Sequence, residues 1–303
     1  MRTVIIGLGI QGHKRRAVAG SDAAGTVDPV IAGADFKRIE DAPLDRYDAA
    51  CVCVPDAAKI PIVEYLLTHG KHALVEKPLL SQDNTQIEKL QALALSKKTI
   101  CYTAYNHRFE PHLVTLKKWL EEGKIGRIYT ARFFYGNGTA RDVKNSPWRD
   151  KGTGVVSDIG SHLLDTVLFL FKGNPFRFRA WKMSTFENHA FDHAVFASAG
   201  DPLIQLEMTL LSWKNTFSAD ILGELGSLHV EGLCKWGPSV IRWRKRVLPS
   251  GKPEEISDTI VSADPTWAAE YKYFQELCQR GRTDLSNDVY INTMLKQMTE
   301  HDA

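Results

Sequence analysis

The sequence TVIIGLGIQG, residues 3–12, decides the fold of the amino-terminal part of the chain. A short apolar run leads directly into a Gly-x-Gly-x-x-Gly pattern, and the chain continues with helical spacing. Glycines at such a junction permit a tight turn and let the backbone approach a pyrophosphate at the positive N-terminus of the helix. The stretch therefore predicts a Rossmann-type domain with a dinucleotide phosphate loop. The loop residues expected to bind the cofactor are Gly7, Gly9, Ile10, Gln11 and Gly12.

The periodicity of apolar residues divides the chain into two parts. Short apolar runs alternate with helical stretches through residues 1–105, which predicts a doubly wound, mostly parallel α/β sheet. Beyond them, segments such as 127–135 and 216–223 alternate apolar with polar residues, which indicates antiparallel strands with one covered face. We therefore expect a Rossmann domain over 1–105 and an α+β domain with a large, open, mainly antiparallel sheet over 106–303.

Composition argues for an ordinary globular protein. The 303 residues are long enough for two domains, and a net charge of +2 gives no general reason to bind nucleic acid or an anionic membrane. Two local basic runs, residues 14–16 and 242–246, are interpreted as solvated faces. There is no leader pattern and no apolar run of about 18 residues. The five cysteines contain no Cys-x-x-Cys pair, so we expect a reduced, cytoplasmic protein.

An acidic residue is expected at the end of the second strand, where it would bind the ribose hydroxyls of the cofactor. Asp28 in AGTVDP is the candidate, with Asp22 and Asp35 as weaker alternatives. A carboxylate at this point repels a 2′-phosphate and so favours NAD over NADP. The segment between Asp28 and Asp48 is short and leaves little room for a second helix, so NADP stays an alternative.

The sequence Glu76-Lys77-Pro78 follows the apolar strand HALVE. The carboxyl ends of the strands of a doubly wound sheet face the ligand crevice. A lysine at this edge can donate to a substrate hydroxyl and stabilise a developing alkoxide. The alternative interpretation, a lysine in a surface loop, is less favoured because Pro78 fixes the backbone at this point.

A second cluster lies in the largely apolar stretch 155–171. On an α-helix, Asp158, His162 and Asp165 would form one narrow stripe, and burying them without partners is costly. A histidine oriented by a carboxylate can serve as a proton acceptor. Two alternatives remain open, a core Asp–His pair without chemistry and a zinc site. No cysteine or further histidine stands at helical spacing to the pair, so no metal is expected.

Together these residues resemble the glucose–fructose oxidoreductase and inositol dehydrogenase (Gfo/Idh/MocA) family, over nearly the whole chain. The resemblance comprises the phosphate loop, Asp28-Pro29, Val54-Pro55, the Gly70–Pro78 motif, Asn106-His107-Arg108-Phe109, Gly123–Gly126, Asp158–Asp165 and the strand pair around Gly226-Ser227.

The resemblance implies a role for each matched residue. Lys77 would orient the reacting hydroxyl, His162 would accept its proton, and Asp158 would tune His162. The nicotinamide pocket would be lined by Pro55, Glu76 and Lys77. The substrate would be contacted by Asn106, Arg108, Trp148, Arg149, Asp158 and His162. The resemblance also implies a cis Lys77–Pro78 peptide and a homodimer or homotetramer formed through the open sheet.

The chain departs from the family pattern beside Pro55. The family usually shows an asparagine next and a histidine three residues further on, whereas this chain has Asp56 and Lys59.

Three hypotheses for function follow. The first is an NAD(P)-dependent dehydrogenase or reductase acting on a sugar, cyclitol or nucleotide sugar. The second is a dinucleotide-sensing regulatory protein without catalysis. The third is a reductase of a non-sugar on the same fold. The set Lys77, Asp158 and His162 favours the first.

Overall fold

The computed structural model describes residues 1–146, 149–171 and 176–299, and it divides into two compact units. The first unit comprises Met1–Asn106 and Thr266–Asn292, and the second comprises His107–Pro265 and the chain from Thr293 on. The division after Asn106 lies one residue beyond the predicted boundary. Residues 266–292 belong to the first unit, whereas the sequence assigns them to the second domain.

Thirteen strands occur among the described residues. They are β1 (Thr3–Ile6), β2 (Ala23–Val27), β3 (Ala49–Val52), β4 (His72–Glu76), β5 (Cys101–Ala104), β6 (Ile128–Gly136), β7 (Phe178–Ser184), β8 (His193–Ser198), β9 (Leu203–Thr209), β10 (Thr216–Gly223), β11 (Gly226–Glu231), β12 (Ser239–Lys245) and β13 (Glu254–Ile260).

Eight α-helices accompany these strands in the part of the chain that the structure describes. They are α1 (Ile10–Ala19), α2 (Asp56–Thr68), α3 (Asn84–Lys97), α4 (Pro111–Glu121), α5 (Ala140–Lys144), α6 (Ser161–Leu170), α7 (Thr266–Arg280) and α8 (Ser286–Thr299). A π-helical turn, Val156–Gly160, leads into α6. None of the helices in these ranges is both long enough and apolar enough to cross a membrane.

The first unit is built on a five-stranded sheet in the order β2-β1-β3-β4-β5, with every pair parallel. Strands β1 and β3 are buried along their whole length, as expected for parallel strands covered on both faces. The strand order changes direction between β1 and β3, which is the switch point where such sheets bind ligands at their carboxyl edge. The predicted doubly wound α/β fold is confirmed.

The connection between β2 and β3 contains no α-helix, in agreement with its short length. Two 3₁₀ turns, Ile39–Asp41 and Leu44–Arg46, replace the helix. The side chains of Ile39 and Tyr47 are buried and pack into the core formed by β1, β2 and β3. Two apolar side chains therefore cover a part of the sheet that a crossover helix would otherwise cover.

The second unit contains an eight-stranded sheet in the order β13-β12-β11-β10-β6-β9-β8-β7. Every pair is antiparallel except β6 with β9. Phe133, Phe196 and Phe217 are fully buried on the inner face, against which α4 and the turn before α6 pack. The predicted open, mainly antiparallel sheet is confirmed. Strand β13 was not predicted, because its sequence EEISDTI is almost entirely exposed and has no covered face.

Helix α7 packs on the first sheet, a place in the fold that the sequence did not predict. Its side chains Tyr271 and Phe274 are buried with Ile5 and Leu74 of the first sheet. The hydroxyl of Tyr271 also lies 2.9 Å from the Thr3 hydroxyl. These contacts join residues that are far apart in sequence, so the helical spacing alone cannot show where the helix packs.

Candidate active site

The phosphate loop has the geometry that its glycines predict. Gly7 has φ +88° and donates its amide to the Val27 carbonyl at 2.8 Å. The first hydrogen bond of α1 runs from the His13 amide to the Gly9 carbonyl at 3.0 Å, so the preceding amides lie at the helix N-terminus. A Cβ added to Gly9 would meet no atom within 4 Å, whereas one on Gly12 would collide with the Gly7 carbonyl. Gly9 thus leaves open space where a diphosphate would approach the loop.

Asp28 stands at the end of β2, as predicted, but its carboxylate also has partners in the chain. One oxygen accepts the Leu8 amide at 2.8 Å, and the other accepts the Val30 and Ile31 amides, each at 2.9 Å. Burial alone would raise the pKa of Asp28, but the three amides hold it below its ordinary value. Asp28 therefore stays ionised and ties the phosphate loop to the segment that follows β2.

Glu76 is held by a buried ion pair that the sequence analysis missed. Arg15 of α1 donates to Glu76 at 2.6 Å and to Glu270 of α7 at 2.7 Å, and its guanidinium lies 4.3 Å from the centre of the Trp267 ring. Burial would lower the pKa of Arg15, but the two carboxylates raise it, so the guanidinium remains charged. The network joins the helix after the phosphate loop to the end of β4.

The interpretation of residues 14–16 as a solvated face is therefore wrong for Arg15, whose side chain is only 1% exposed, and right for Arg16. A signal was present in the sequence. Arg15 lies three residues after Gly12 and four before Ala19, and these three residues form the buried face of α1. The run of basic residues hid this periodicity.

Lys77 follows β4 directly, and the Lys77–Pro78 peptide is cis, as the family resemblance predicts. Beneath this peptide lies Lys59, which is 2% exposed. Its ammonium donates to the carbonyls of Lys77 at 3.2 Å and Pro78 at 2.8 Å, and lies 2.7 Å from the Asp56 carboxylate. The departure from the family pattern at Asp56 and Lys59 therefore supports the backbone around Lys77.

The first unit brings the predicted cofactor residues to one edge of its sheet. Gly9 follows β1, Asp28 follows β2, Pro55 follows β3 and caps α2, and Lys77 follows β4. Because these strands are parallel, their carboxyl ends share one edge. Asn106, which was expected to contact substrate, is buried in this unit and donates to the Thr266 hydroxyl at 2.9 Å.

In the second unit, Asp158, His162 and Asp165 do not lie on one continuous α-helix, which the predicted stripe assumes. Asp158 lies in the π-helical turn, in which the spacing differs from that of an α-helix, and only His162 and Asp165 lie in α6. The Asp158 carboxylate pairs with Arg149 at 3.4 Å, and both side chains are partly exposed. Trp148, which was predicted beside Arg149 to contact substrate, lies outside the described residues.

Asp165 pairs with Arg108, a partner that the sequence pattern did not predict. Both oxygens of its fully buried carboxylate accept hydrogen bonds from Arg108. The Arg108 Nε atom lies 3.0 Å from Oδ1 and 2.9 Å from Oδ2. Burial raises the pKa of Asp165, and the Arg108 guanidinium opposes that rise. Arg108 therefore neutralises a buried carboxylate on α6, whatever further contact it makes with a substrate.

His162 packs against aromatic neighbours. The His107 ring is stacked on it with the centroids 4.4 Å apart and the planes 19° from parallel, and Tyr135 packs beside both. His107 Nε2 lies 3.3 Å from the Lys235 ammonium, which also lies 4.3 Å from the centre of the Trp236 ring. An ammonium can only donate, so this nitrogen of His107 accepts and the ring is neutral.

These neighbours of His162 were not predicted, although His107 stands within the motif quoted for the family. Lys235 lies 128 residues further along the chain, and no local pattern links the two. Among the described ranges, no group of three His, Cys, Asp or Glu side chains could hold a metal ion. The two carboxylates that were considered as zinc ligands have separate arginine partners. Asp165 binds Arg108, and Asp158 binds Arg149.

The chain matches two family models. Residues 26–105 match an oxidoreductase family with an NAD-binding Rossmann fold, and residues 113–229 match the GFO/IDH/MocA C-terminal domain.

A scyllo-inositol 2-dehydrogenase (NADP(+)) of Bacillus subtilis is 33% identical over 122 residues, which cover 39% of this chain and 33% of that protein. A levoglucosan dehydrogenase of Pseudarthrobacter phenanthrenivorans is 34% identical over 107 residues, which cover 33% of this chain and 27% of that protein. These matches span about a third of the length of the curated relatives.

Solved structures match nearly the whole chain. A levoglucosan dehydrogenase in complex with NADH and levoglucosan has a TM-score of 0.80 at 17% identity, covering 99% of this chain and 96% of that one. GenD2 from gentamicin A biosynthesis, in complex with NAD, has a TM-score of 0.80 at 15% identity, covering 99% and 93%. At these identities the likeness shows the fold. With the matched family models, it establishes that the chain belongs to the Gfo/Idh/MocA family of oxidoreductases and contains its NAD-binding Rossmann domain.

Proposed function

We propose that the protein is an NAD(P)-dependent dehydrogenase or reductase that acts on a carbinol or keto carbon of a sugar, cyclitol or nucleotide sugar. The observation that carries the proposal is the place of Lys77 at the carboxyl edge of the first sheet, the edge that also holds the phosphate loop. A cation at this edge is suited to a developing alkoxide. The imidazole of His162, held by a stacked ring, supplies a proton acceptor.

Each residue has a defined part in the oxidation of a carbinol. The amides at the start of α1 bind the cofactor diphosphate beside Gly9. Bound NAD(P) supplies the hydride acceptor for oxidation, or the hydride donor for reduction. Lys77 donates a hydrogen bond to the reacting oxygen, and His162 takes the hydroxyl proton as the C–H hydride leaves. In the direction of reduction, His162 returns the proton to the carbonyl oxygen.

The relatives support this class of substrate. Two of them are named for scyllo-inositol and levoglucosan, which are polyhydroxylated rings with secondary alcohols. We propose that Asp158 and Arg149, an ion pair that is partly exposed in the second unit, contact the hydroxyls of such a ring together with Arg108. Asn106 and Trp148 complete the proposed substrate residues.

The cofactor preferred in this proposal is NAD. Asp28 is ionised and lies at the end of β2, where a 2′-phosphate would meet its charge. We expect NADH to bind more tightly than NADPH by at least about tenfold, which corresponds to about 1.4 kcal/mol. Fluorescence titration of both cofactors measures the ratio, and equal or tighter NADPH binding would contradict the assignment of Asp28.

The proposed reaction is tested with a panel of cyclitols, aldoses, keto-sugars and nucleotide sugars, offered with NAD or NADP in oxidation and with NADH or NADPH in reduction. We expect turnover of at least one ring polyol or its ketone. The absorbance of the reduced nicotinamide measures this turnover. Tight NADH binding without turnover of any member would favour a dinucleotide-sensing protein. Turnover of a non-sugar carbonyl or imine alone would favour the third hypothesis.

We further propose a homodimer or homotetramer formed through the outer face of the second sheet. This face carries Phe134 and Val195 beside the hydrogen-bonded series Arg132, Asp220 and His229. Such a mixture of apolar and polar side chains is typical of subunit interfaces. Light scattering after size exclusion measures the mass, and a monomer at micromolar concentration would contradict the proposal.

A further inference from the structure

We infer that Lys59, together with Asp56, is a positioning residue for Lys77. The inference rests on the proposed function, because it assigns Lys59 a part in the reaction only through Lys77. It also gives a reason for the departure from the family pattern at Asp56 and Lys59.

The contacts of Lys59 are specific. It lies in the first turn of α2, and its ammonium donates to two consecutive carbonyls, those of Lys77 and Pro78, at 3.2 Å and 2.8 Å. The Asp56 carboxylate lies 2.7 Å from the same ammonium. An ammonium has three N–H donors, so these contacts occupy all of them. Lys59 thus fixes the two carbonyls that directly follow the Lys77 Cα, one on each side of Pro78.

Such a lysine is unusual in a protein core. Lysine is among the residues least often fully buried, because its charge is costly to remove from water. Burial lowers the pKa of Lys59, and the neighbouring Asp56 carboxylate opposes that change. Asp56 itself is 47% exposed, so its own charge remains hydrated. A buried cation held against two carbonyls stabilises one backbone arrangement, since a shift of the turn would cost the cation its two carbonyl acceptors.

The effect expected on catalysis follows from the geometry. Lys77 donates to the reacting oxygen in the proposed mechanism, and misplacing a catalytic group by about 1 Å can reduce the rate by about 100-fold. The phosphate loop follows a different strand, β1, and none of the contacts of Lys59 described above involves it. Loss of Lys59 should therefore reduce kcat much more than it reduces cofactor affinity.

Lys71 offers a matched control. It is also a partly buried lysine of the first unit, and its ammonium donates to a backbone carbonyl, that of Tyr47, at 2.8 Å. It precedes β4, however, whereas Lys59 supports the chain that follows β4. Lys71→Met should remove a partly buried lysine and its hydrogen bond to a carbonyl without altering the edge that carries Lys77.

The experiment compares Lys59→Met, Lys59→Arg and Lys71→Met with the wild-type protein, on a substrate found in the panel. For Lys59→Met we expect kcat to fall by about 10- to 100-fold while the NADH dissociation constant stays close to wild type. Lys59→Arg, which keeps charge and donors, should recover most of kcat. Lys71→Met should keep wild-type kcat. Lys59→Gln retains N–H donors and serves if the methionine variant does not fold, with an expected loss smaller than tenfold but measurable.

A second measurement separates positioning from general destabilisation. If Lys59 acts through Lys77, then Lys59→Met should reduce kcat in the wild-type background but not in a Lys77→Ala background. Equal losses in both backgrounds, or wild-type kcat in both Lys59→Met and Lys59→Gln, would overturn the inference. Wild-type kcat in Lys77→Ala alone would instead overturn the proposed function, so the two failures are distinguishable.

Discussion

The two units position their candidate site residues in different ways. In the first unit, Gly9, Asp28 and Lys77 each follow a strand, and the parallel sheet brings them to one edge. In the second unit, His162 is held by contacts between side chains far apart in sequence. His107 binds Lys235 across 128 residues, and Arg108 binds Asp165 across 57.

This difference in how the residues are positioned determines which sites can be predicted from sequence. A site built from backbone turns at strand ends leaves a local pattern, because glycine, proline and the apolar run must follow one another. A site built from side-chain contacts leaves no local pattern, since its partners are chosen by the fold. Arg15→Met and Arg108→Met compare how much buried side-chain pairs contribute to stability in each unit.

The largest expected effect lies in the first unit, at Arg15. Arg15→Met would leave the carboxylates of Glu76 and Glu270 buried without their cation. Breaking such a buried pair usually lowers stability by about 3–5 kcal/mol. Urea denaturation followed by circular dichroism measures the loss, and the neighbouring Arg16→Met, on the exposed side of α1, should stay within about 0.5 kcal/mol of wild type. Similar stabilities for the two variants would show that the buried network is not important.

In the second unit, Arg108→Met should lower stability by somewhat less, about 3 kcal/mol, because the Arg108 side chain is 25% exposed. The loss should depend on pH. Burial already raises the folded pKa of Asp165, and removing Arg108 would raise it further, so the added loss of stability should be small where the carboxyl is protonated and grow as pH rises through the folded pKa.

Denaturation of Arg108→Met at about pH 5 and about pH 8 measures this dependence, with the larger loss relative to wild type expected at the higher pH. Arg127→Met is the matched control, since both side chains of the Arg127–Asp201 pair are largely exposed and the pair should contribute at most about 1 kcal/mol. A loss in Arg108→Met that is the same at both pH values would contradict the assignment of a buried charge to Asp165.

The smallest expected effect concerns the stacked rings. An aromatic pair contributes about 0.5–1.5 kcal/mol. His107→Ala should therefore lower kcat by about 2- to 10-fold, through a less well oriented His162. His107→Phe keeps a flat ring and should retain most of kcat. Steady-state kinetics measures both variants, and equal losses would show that the stacked ring does not orient His162.

The fold class was predictable, but several parts of the site were not. The glycine pattern and the run of strands were enough for the Rossmann domain, and the alternation after residue 105 was enough for the open sheet. The cis Lys77–Pro78 peptide followed from the family resemblance. Contacts formed only in three dimensions were missed, namely α7 on the first sheet, Arg15 between two glutamates and the π-helical turn at Asp158. Exposed β13 was missed because it has no apolar face.

We propose that Lys77 of the first unit and His162 of the second are both needed for the proposed reaction. Lys77→Ala and His162→Ala test it most directly, with kcat and the NADH dissociation constant measured for both. We predict that each variant loses kcat by about 10²- to 10⁴-fold, the usual contribution of an acid–base group, while NADH affinity stays close to that of the wild type. Near-normal kcat in either variant would contradict the claim and leave the NAD-binding domain without the proposed chemistry.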